Sequence, residues 1–322
     1  MMNVNSWKSA LTMGGICAFT LLANAAPLQR ADVAANPAWL VHLDCDALRP
    51  TIVGKYILSE MDQPEAKAKL AAFQAMVGVD LRTQLHGATL YGLGPAPEQA
   101  LLMVYADFDP EHLVMLAKAA KDSQINPHGN VDIYNWLDEN KKATNGLAPR
   151  IYAAIQGNRV LFGQREDCVS RGLDVLAGTV PNLTSGAWFP KLGQPGAAHF
   201  VEAAARKLAL PNSDPGAAIL KLAQSVQLML GETQQHFTAD VTLVADNAEV
   251  SGNVVAIGQG LLALGKLQAD KPEILKVVNA ITLTQTGDQV LGRLHLPAAD
   301  MVEVIKADAA RKAAQAAKES KN

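Results

Sequence analysis

The feature that most constrains the fold of this chain is a β-hairpin followed by a helix, a pattern that recurs four times. Each copy has alternating apolar residues, a turn, a second apolar run and then apolar residues at helical spacing. In the sharpest copy, strands at 89–93 and 100–106 precede a helix that begins at Asp109-Pro110. Aspartate accepts hydrogen bonds from the free N–H groups of a first helical turn, and the following proline has no N–H that needs a partner. The remaining copies are predicted at 150–177, 241–267 and 281–305.

The copies group in pairs, because one further strand and one further amphipathic helix precede each pair. The extra strands are predicted at 41–44 and 199–202. The third copy is predicted as strands at 241–244 and 250–257 with a helix at 261–267. The helix before that copy is predicted from apolar residues that lie on one helical face. Those residues are Ile219, Leu222, Val226 and Leu230.

This pairing predicts two similar halves, at residues 38–180 and 196–308, joined by a linker at 181–195 that is rich in proline and glycine. We therefore expect an α+β fold of two tandem halves. Each half would be an antiparallel sheet of β-hairpins with helices packed on one face. The pattern leaves open whether the halves share one sheet. A short linker at 26–37 is predicted before the first half, and an alanine- and lysine-rich tail at 309–322 after the second.

The N-terminus reads as a signal peptide covering residues 1–25. Lys8 is its only charged side chain, an apolar stretch runs from 10 to 23, and Ala23-Asn24-Ala25 is the small-x-small pattern that signal peptidases cut. The apolar stretch is short for a membrane span, which takes about 20 residues. We expect cleavage near Ala25, a periplasmic or secreted mature protein, and no transmembrane helix in the mature chain.

Charge excludes nucleic acid as a partner, and the cysteines and glycines bear on a disulfide and a cofactor. The chain has 28 Lys and Arg against 31 Asp and Glu, so it lacks the basic face that a nucleic-acid backbone requires. After the leader it retains Cys45 and Cys168, which an oxidising compartment would allow to form a disulfide. Two unpaired thiols are the alternative. No cofactor is predicted, because the glycine pattern at 258–260 follows a hairpin strand instead of a parallel crossover unit.

One cluster has the residue types of a metal site. On an extended strand His42, Asp44 and Asp46 would project to the same face, and a histidine with two carboxylates can hold a divalent metal. The alternative is a structural one, in which Asp44 or Asp46 caps the first turn of a helix that begins near Asp46.

Two tryptophans, Trp136 and Trp188, stand in polar, loop-like sequence. Such aromatic residues can anchor a partner, or they can fill the joint between the two halves. Both uses remain open from the sequence.

The sequence contains no nucleophilic serine elbow, zinc-binding His-Glu-x-x-His helix or phosphate-binding lysine loop. The leading hypothesis is therefore an exported, non-enzymatic binding or interaction protein of the cell envelope. It would present a sheet face or an interdomain groove to a macromolecular or envelope partner that the sequence does not identify. The alternatives are a metal-assisted hydrolase that uses His42, Asp44 and Asp46, and a carrier of a small apolar ligand held between helices and sheet.

Overall fold

The structure, a computed structural model, describes residues 27–139, 149–194, 198–207, 221–268 and 272–319. The predicted signal peptide and its cleavage point near Ala25 lie outside the described residues. Within them the chain is α+β, as expected, with twelve strands in one antiparallel sheet. The strands are β1 (Trp39–Asp44), β2 (Leu85–Gly92), β3 (Ala100–Ala106), β4 (Gln124–His128), β5 (Val131–Leu137), β6 (Arg150–Gln156), β7 (Arg159–Gly163), β8 (His199–Arg206), β9 (Ala223–Thr233), β10 (His236–Ala245), β11 (Ile281–Thr286) and β12 (Gln289–Pro297).

Eight α-helices lie in the described part of the chain. They are α1 (Cys45–Leu48), α2 (Ile52–Met61), α3 (Pro64–Val77), α4 (Pro110–Ala119), α5 (Glu166–Leu176), α6 (Ala248–Gln268), α7 (Pro272–Asn279) and α8 (Ala298–Glu319). Several begin as the sequence dictates. Asp109 accepts a hydrogen bond from the N–H of Glu111 at 2.9 Å at the start of α4, with proline in the next position.

The strand order is β11-β12-β10-β9-β8-β1-β2-β3-β7-β6-β5-β4. The sequence left open whether the two halves share one sheet. At the centre of the strand order β1 pairs with β8, and Leu40 lies opposite Ala204. Strands from the two predicted halves therefore share one sheet.

The two faces of the sheet are covered differently, because successive residues of a strand project to opposite faces. We call the face that carries Leu40, Met103 and Leu161 the segment face, and the face that carries Phe162 and Leu243 the helical face. On the helical face, α1, α2 and α8 form one apolar cluster. Helix α6 packs there in a second cluster against Leu243.

Helix α5 lies on the opposite side. Its Val169, Leu173 and Val175 pack on the segment face, in the same core as Leu40 and Met103. The expectation that helices cover one face is therefore wrong for α5. The reason is geometric: Leu161 of β7 points away from Phe162, so a helix that buries Leu161 must lie across the sheet from α4.

The two segments predicted as linkers complete the segment face. Leu28 and Val33 come from the first of them, and Leu183, Phe189 and Leu192 from the second; all five are buried in the main core. Their proline, glycine and polar residues shape irregular backbone, which explains the linker-like composition, while their apolar residues seal the sheet.

Buried polar contacts hold these segments in place. The Arg30 guanidinium donates to the carbonyl oxygens of Leu183 at 2.9 Å and Phe189 at 2.6 Å. Asp32 accepts a hydrogen bond from the Tyr105 hydroxyl at 3.0 Å and forms an ion pair with Arg159 at 3.0 Å. The carbonyl groups of the irregular backbone thus find donors inside the protein, as buried polar groups require.

Two predicted elements are wrong. Residues 250–257, predicted as a strand, belong to α6, which also contains the helix that was predicted at 261–267. Valines favour strands, yet Val250 and Val254 pack on the sheet together, and a spacing of four residues is helical. Residues 223–233 form β9, where the sequence predicted a helix. Ser225 and Gln227 are buried in β9, so polar residues occupy inward positions and the alternation that marks a strand is concealed.

Helix α8 extends to Glu319 and so continues into the predicted tail. Helix α6 contains a stretch, Ala248–Leu267, of 20 residues with a mean hydropathy of 1.3, which meets the length and composition of a membrane span. Its inner side is attached to the sheet, where Val254 is buried and the Ser251 hydroxyl donates to the Gly287 carbonyl at 2.8 Å. Only 11% of the stretch is buried in the structure, so the absence of a transmembrane helix stays a prediction.

Candidate functional sites

The predicted metal residues do not converge. Asp44 caps α1, where its Oδ1 accepts the N–H of Ala47 at 2.8 Å, and burial raises the pKa of its carboxyl. Asp46 lies in α1 and not on the strand, so the premise that three side chains share one strand face fails. Among the residues described, no three His, Cys, Asp or Glu side chains are placed to hold a metal ion.

His42 belongs to a buried polar row across three central strands. It lies opposite Thr89 of β2 and Glu202 of β8, and its Nδ1 is 2.8 Å from the Thr89 hydroxyl. Glu202 accepts the N–H of Gly193 at 2.6 Å. Burial raises the pKa of Glu202. The row connects the strands to the covering segment, which is a structural role.

Asp46 forms a histidine clamp with His86. Its Oδ2 is 2.9 Å from Nδ1 of His86, and Oδ1 of Asp107 is 3.0 Å from Nε2 of the same ring. Burial alone would lower the pKa of His86, but the hydrogen bonds and charges of the two carboxylates raise it above its usual value. Asp46 also forms an ion pair with Arg49. The clamp joins α1 to β2 and to the loop after β3.

The two cysteines are free thiols in the structure, and no disulfide joins them. Burial raises the pKa of Cys45 to about 11, and burial also raises the pKa of Cys168. Neither residue has the lowered pKa of a nucleophilic thiol.

An apolar cavity of about 390 Å³ lies on the helical face, between helices α3 and α4 and strands β5 to β7. Apolar side chains line it, and Trp136 is among them. The lining consists of Met76, Val77, Leu113, Leu116, Ala117, Ala120, Tyr134, Trp136, Ala153, Ile155, Val160 and Phe162. We call this space the α3–α4 cavity.

The cavity exists because the two helices pack loosely over small residues. Neither α3 nor α4 contains a fully buried residue, and the lining includes the small residues Ala117, Ala120 and Ala153, where larger side chains would fill a protein core. His112 holds the helices together, since its Nε2–H donates to the Met76 carbonyl at 2.9 Å. Met76 is 58% exposed beside this junction, which places a flexible side chain where the cavity meets solvent.

A second depression, of about 730 Å³, crosses the ends of the central strands where β1 meets β8. We call it the seam groove. Trp188 stacks on the Arg206 guanidinium, which lies 4.5 Å from the ring centre, and the Trp39 indole N–H donates to the Gly94 carbonyl at 3.0 Å. A β-carbon at position 92 would lie 2.7 Å from the Trp39 ring, so Gly92 provides the space for the indole. The lining is Ala38, Trp39, Leu93, Gly94, Pro95, Trp188, Arg206, Lys207 and Gln224.

The structure thus places Trp136 and Trp188 in different sites. Trp188 lies at the joint between the predicted halves, whereas Trp136 faces the α3–α4 cavity. Sequence reasoning did not select Trp39, Arg206 or Lys207 for the seam groove. The sequence held only part of the evidence for this site. Tryptophan is scarce in this chain, with 4 residues, so Trp39 and Trp188 could be noticed. The pairing of β1 with β8, which brings them together, leaves no pattern in the local sequence.

Comparison with known proteins gives a similarity of fold alone. No family model matches the chain, and no curated protein matches it significantly. Among solved structures, crystal form III of TP0453 aligns with 12% identity over 88% of this chain and 99% of that chain, with a TM-score of 0.49. Crystal form I of TP0453 aligns with 11% identity over 88% and 98% of the two chains, with a TM-score of 0.47. No functional conclusion follows from a likeness of this degree.

Proposed function

We propose that the chain is an exported, non-enzymatic binding protein of the cell envelope that carries a small apolar ligand in the α3–α4 cavity. The observation that carries the proposal is the cavity itself, about 390 Å³ of space lined by apolar side chains. Small-molecule sites occupy about 300–1,000 Å³ and are lined mostly by hydrophobic and aromatic groups. The signal-peptide pattern at 1–25 supports export.

Binding is favoured over catalysis because the buried polar residues have structural roles. Asp44 caps α1, Asp46 and His86 fix α1 to β2, and Glu202 accepts a hydrogen bond from the segment that covers the sheet at Gly193. The metal-assisted hydrolase gains no support, because the three residues it requires are separated into these structural roles within the described chain. A ligand in the α3–α4 cavity would meet apolar surface and the Trp136 indole, so we expect a neutral, largely hydrocarbon molecule.

We also propose that the two halves derive from one duplicated unit. The strand order supports this, since β1-β2-β3-β7-β6 on one side of the sheet centre is matched by β8-β9-β10-β12-β11 on the other. The first half then has one addition, the hairpin β4–β5 at its outer edge. Trp136 and Tyr134 are on β5, so the addition supplies one wall of the cavity and explains why the cavity belongs to the first half.

The test fills the cavity and measures binding of a neutral apolar fluorophore, N-phenyl-1-naphthylamine, to the processed protein. Ala117→Leu places extra carbon atoms in the cavity, whereas Ala119→Leu makes the same change at an exposed position of the same helix. We expect wild type and Ala119→Leu to bind the fluorophore equally. Ala117→Leu should raise the Kd by about tenfold or more, because the added side chain occupies part of the space that the ligand needs.

The same samples report the location of the probe. Energy transfer from tryptophan to the bound fluorophore should fall in Trp136→Phe to what Trp39 and Trp188 contribute, while binding persists. Ala117→Leu should also raise the melting temperature of the free protein, because it fills empty space with apolar atoms at about 0.8 kcal/mol per buried methylene. Equal binding by Ala117→Leu and Ala119→Leu, or no binding by wild type, would refute the proposal.

A further inference from the structure

We propose that the seam groove is a docking site for an extended acidic segment of a partner protein. This site is separate from the α3–α4 cavity, and the proposal does not depend on the apolar ligand.

The side chains that line the groove are of the kind that dominates protein interfaces, and they are already fixed. Tryptophan and arginine are enriched among the residues that contribute most to binding. Besides stacking on Trp188, Arg206 donates to the carbonyl oxygens of Pro37 at 2.9 Å and Asn36 at 3.0 Å. Trp39 is held by its bond to Gly94. Because these groups are ordered before a partner arrives, binding would cost little of their conformational entropy.

The charge of the groove selects the partner. The described residues that line it include Arg206 and Lys207 and no acidic side chain; a carboxylate beside them is that of Asp246, which accepts a hydrogen bond from the lining residue Gln224 at 2.9 Å. A smaller depression that shares Leu93 adds Arg165 and Arg171, with Asp167 as its only acid, and Asp167 is paired with Arg165 at 2.6 Å. Even with Asp246 and with Glu98, whose charge acts on Arg165, the described basic side chains of the two depressions outnumber the acidic ones, on a chain whose net charge is −3. Complementary charge favours an acidic partner and increases its rate of association.

The backbone at Lys207 supports the assignment. Lys207 has a φ of 45°, a left-handed conformation that is uncommon for residues with a side chain and that concentrates at ligand-binding positions. Its N–H donates to the Gln224 carbonyl at 3.1 Å. The Lys207 side chain is exposed, so a partner can reach its ammonium group.

A peptide fits the groove better than an anionic sugar does. Sugars stack on open aromatic faces, but Arg206 covers one face of Trp188 and Phe189 lies beside the same ring, 6.3 Å between centres. What the groove offers is indole edges, the Leu93–Pro95 wall and two cations. Extended, proline-containing segments dock in aromatic-lined grooves, and acidic side chains on such a segment would reach Arg206 and Lys207.

The test uses a fluorescein-labelled octapeptide in which glutamate alternates with proline, measured by fluorescence polarisation against the processed protein. The lysine–proline octapeptide controls for charge, and polygalacturonate fragments represent the anionic sugar. Lys207→Glu reverses a groove charge, while Lys67→Glu reverses an exposed charge on α3, which does not line the groove. Lys207→Gln provides a second, milder variant.

We expect the glutamate–proline peptide to bind wild type and Lys67→Glu alike, with a Kd that rises with salt. Lys207→Glu should weaken this binding by about tenfold and Lys207→Gln by less, and Trp188→Phe should weaken it without changing the salt dependence. Ala117→Leu should bind the peptide normally, so failure here is distinguishable from failure of the cavity proposal. The inference is overturned if the peptide does not bind wild type, if Lys67→Glu and Lys207→Glu have the same effect, or if polygalacturonate binds and the peptide does not.

Discussion

Removal of the Glu232 carboxylate should destabilise the protein well beyond an ordinary surface mutation. Glu232 is on β9, and its side chain caps α2, which lies far away in the sequence. The Ile52 N–H donates to both carboxylate oxygens of Glu232, Oε1 at 2.8 Å and Oε2 at 3.0 Å. The Val53 N–H donates to Oε2 at 3.2 Å. Thr51 supplies a second cap by accepting the N–H of Gly54 at 2.8 Å, so α2 retains part of its capping in the variant.

The magnitude follows from these contacts. A hydrogen bond to a charged group is worth about 1.5–3 kcal/mol, and a negative charge at a helix N-terminus adds about 0.3–1 kcal/mol. We expect Glu232→Ala to lower the free energy of unfolding by about 3 kcal/mol, which corresponds to a fall in Tm of about 5 °C for a chain of this size. Glu232→Gln keeps an acceptor oxygen but loses the charge, so its loss should be smaller.

Urea unfolding followed by tryptophan fluorescence measures the effect. Glu65→Ala is the matched control, because Glu65 is also a first-turn carboxylate but is exposed and bonded only to Lys69, four residues along its own helix. That variant should unfold almost as wild type does. If Glu232→Ala and Glu65→Ala unfold at the same urea concentration, the cap does not connect β9 to α2 in the way described.

Two further results are expected. His86→Asn should reduce stability most at low pH: the folded-state pKa of His86 is raised, so its contribution is complete below the unfolded value of about 6.5 and disappears as pH rises through the folded pKa. Urea unfolding at pH 5.5 and pH 8.5 checks this, and a larger gap at pH 8.5 would contradict it. Gly172→Ala and Gly260→Ala should have opposite signs, as measured by Tm. A β-carbon at Gly172 would lie 2.4 Å from Leu101 in the core, whereas none of the described atoms lies within 4 Å of one at Gly260; overpacking costs about 1–3 kcal/mol, and alanine stabilises an exposed helix by about 0.5–1 kcal/mol. Equal shifts would refute the packing argument.

Local sequence signals carried much of the architecture. The turn and helix start at Asp109-Pro110 and the hairpin around Gly157 are decided by residues close in sequence, and both lie where they were predicted. The α+β class follows from such elements. The errors came where distant residues decide the outcome. Gln227 is tolerated inside the sheet because the N–H of Lys191 donates to its side chain at 3.4 Å, and no local pattern indicates that partner.

The candidate sites were harder to predict for the same reason. Trp136 and Trp188 could be selected as unusual residues, but their surroundings depend on strand order. The α3–α4 cavity needs α3, α4 and β5 to β7 to meet around a space that small residues leave empty. The premise of the metal hypothesis, a strand that extends to Asp46, is wrong: β1 ends at Asp44 and α1 begins at Cys45, so a change of backbone conformation separates Asp46 from the strand.

The central position of β1 has a consequence for biogenesis. Its partner on one side, β8, begins at His199, so while the first half is complete and the second is not, the hydrogen-bonding edge of β1 is open to any passing strand. An unprotected edge is a template for self-association. A product truncated at residue 194 should therefore be oligomeric or insoluble.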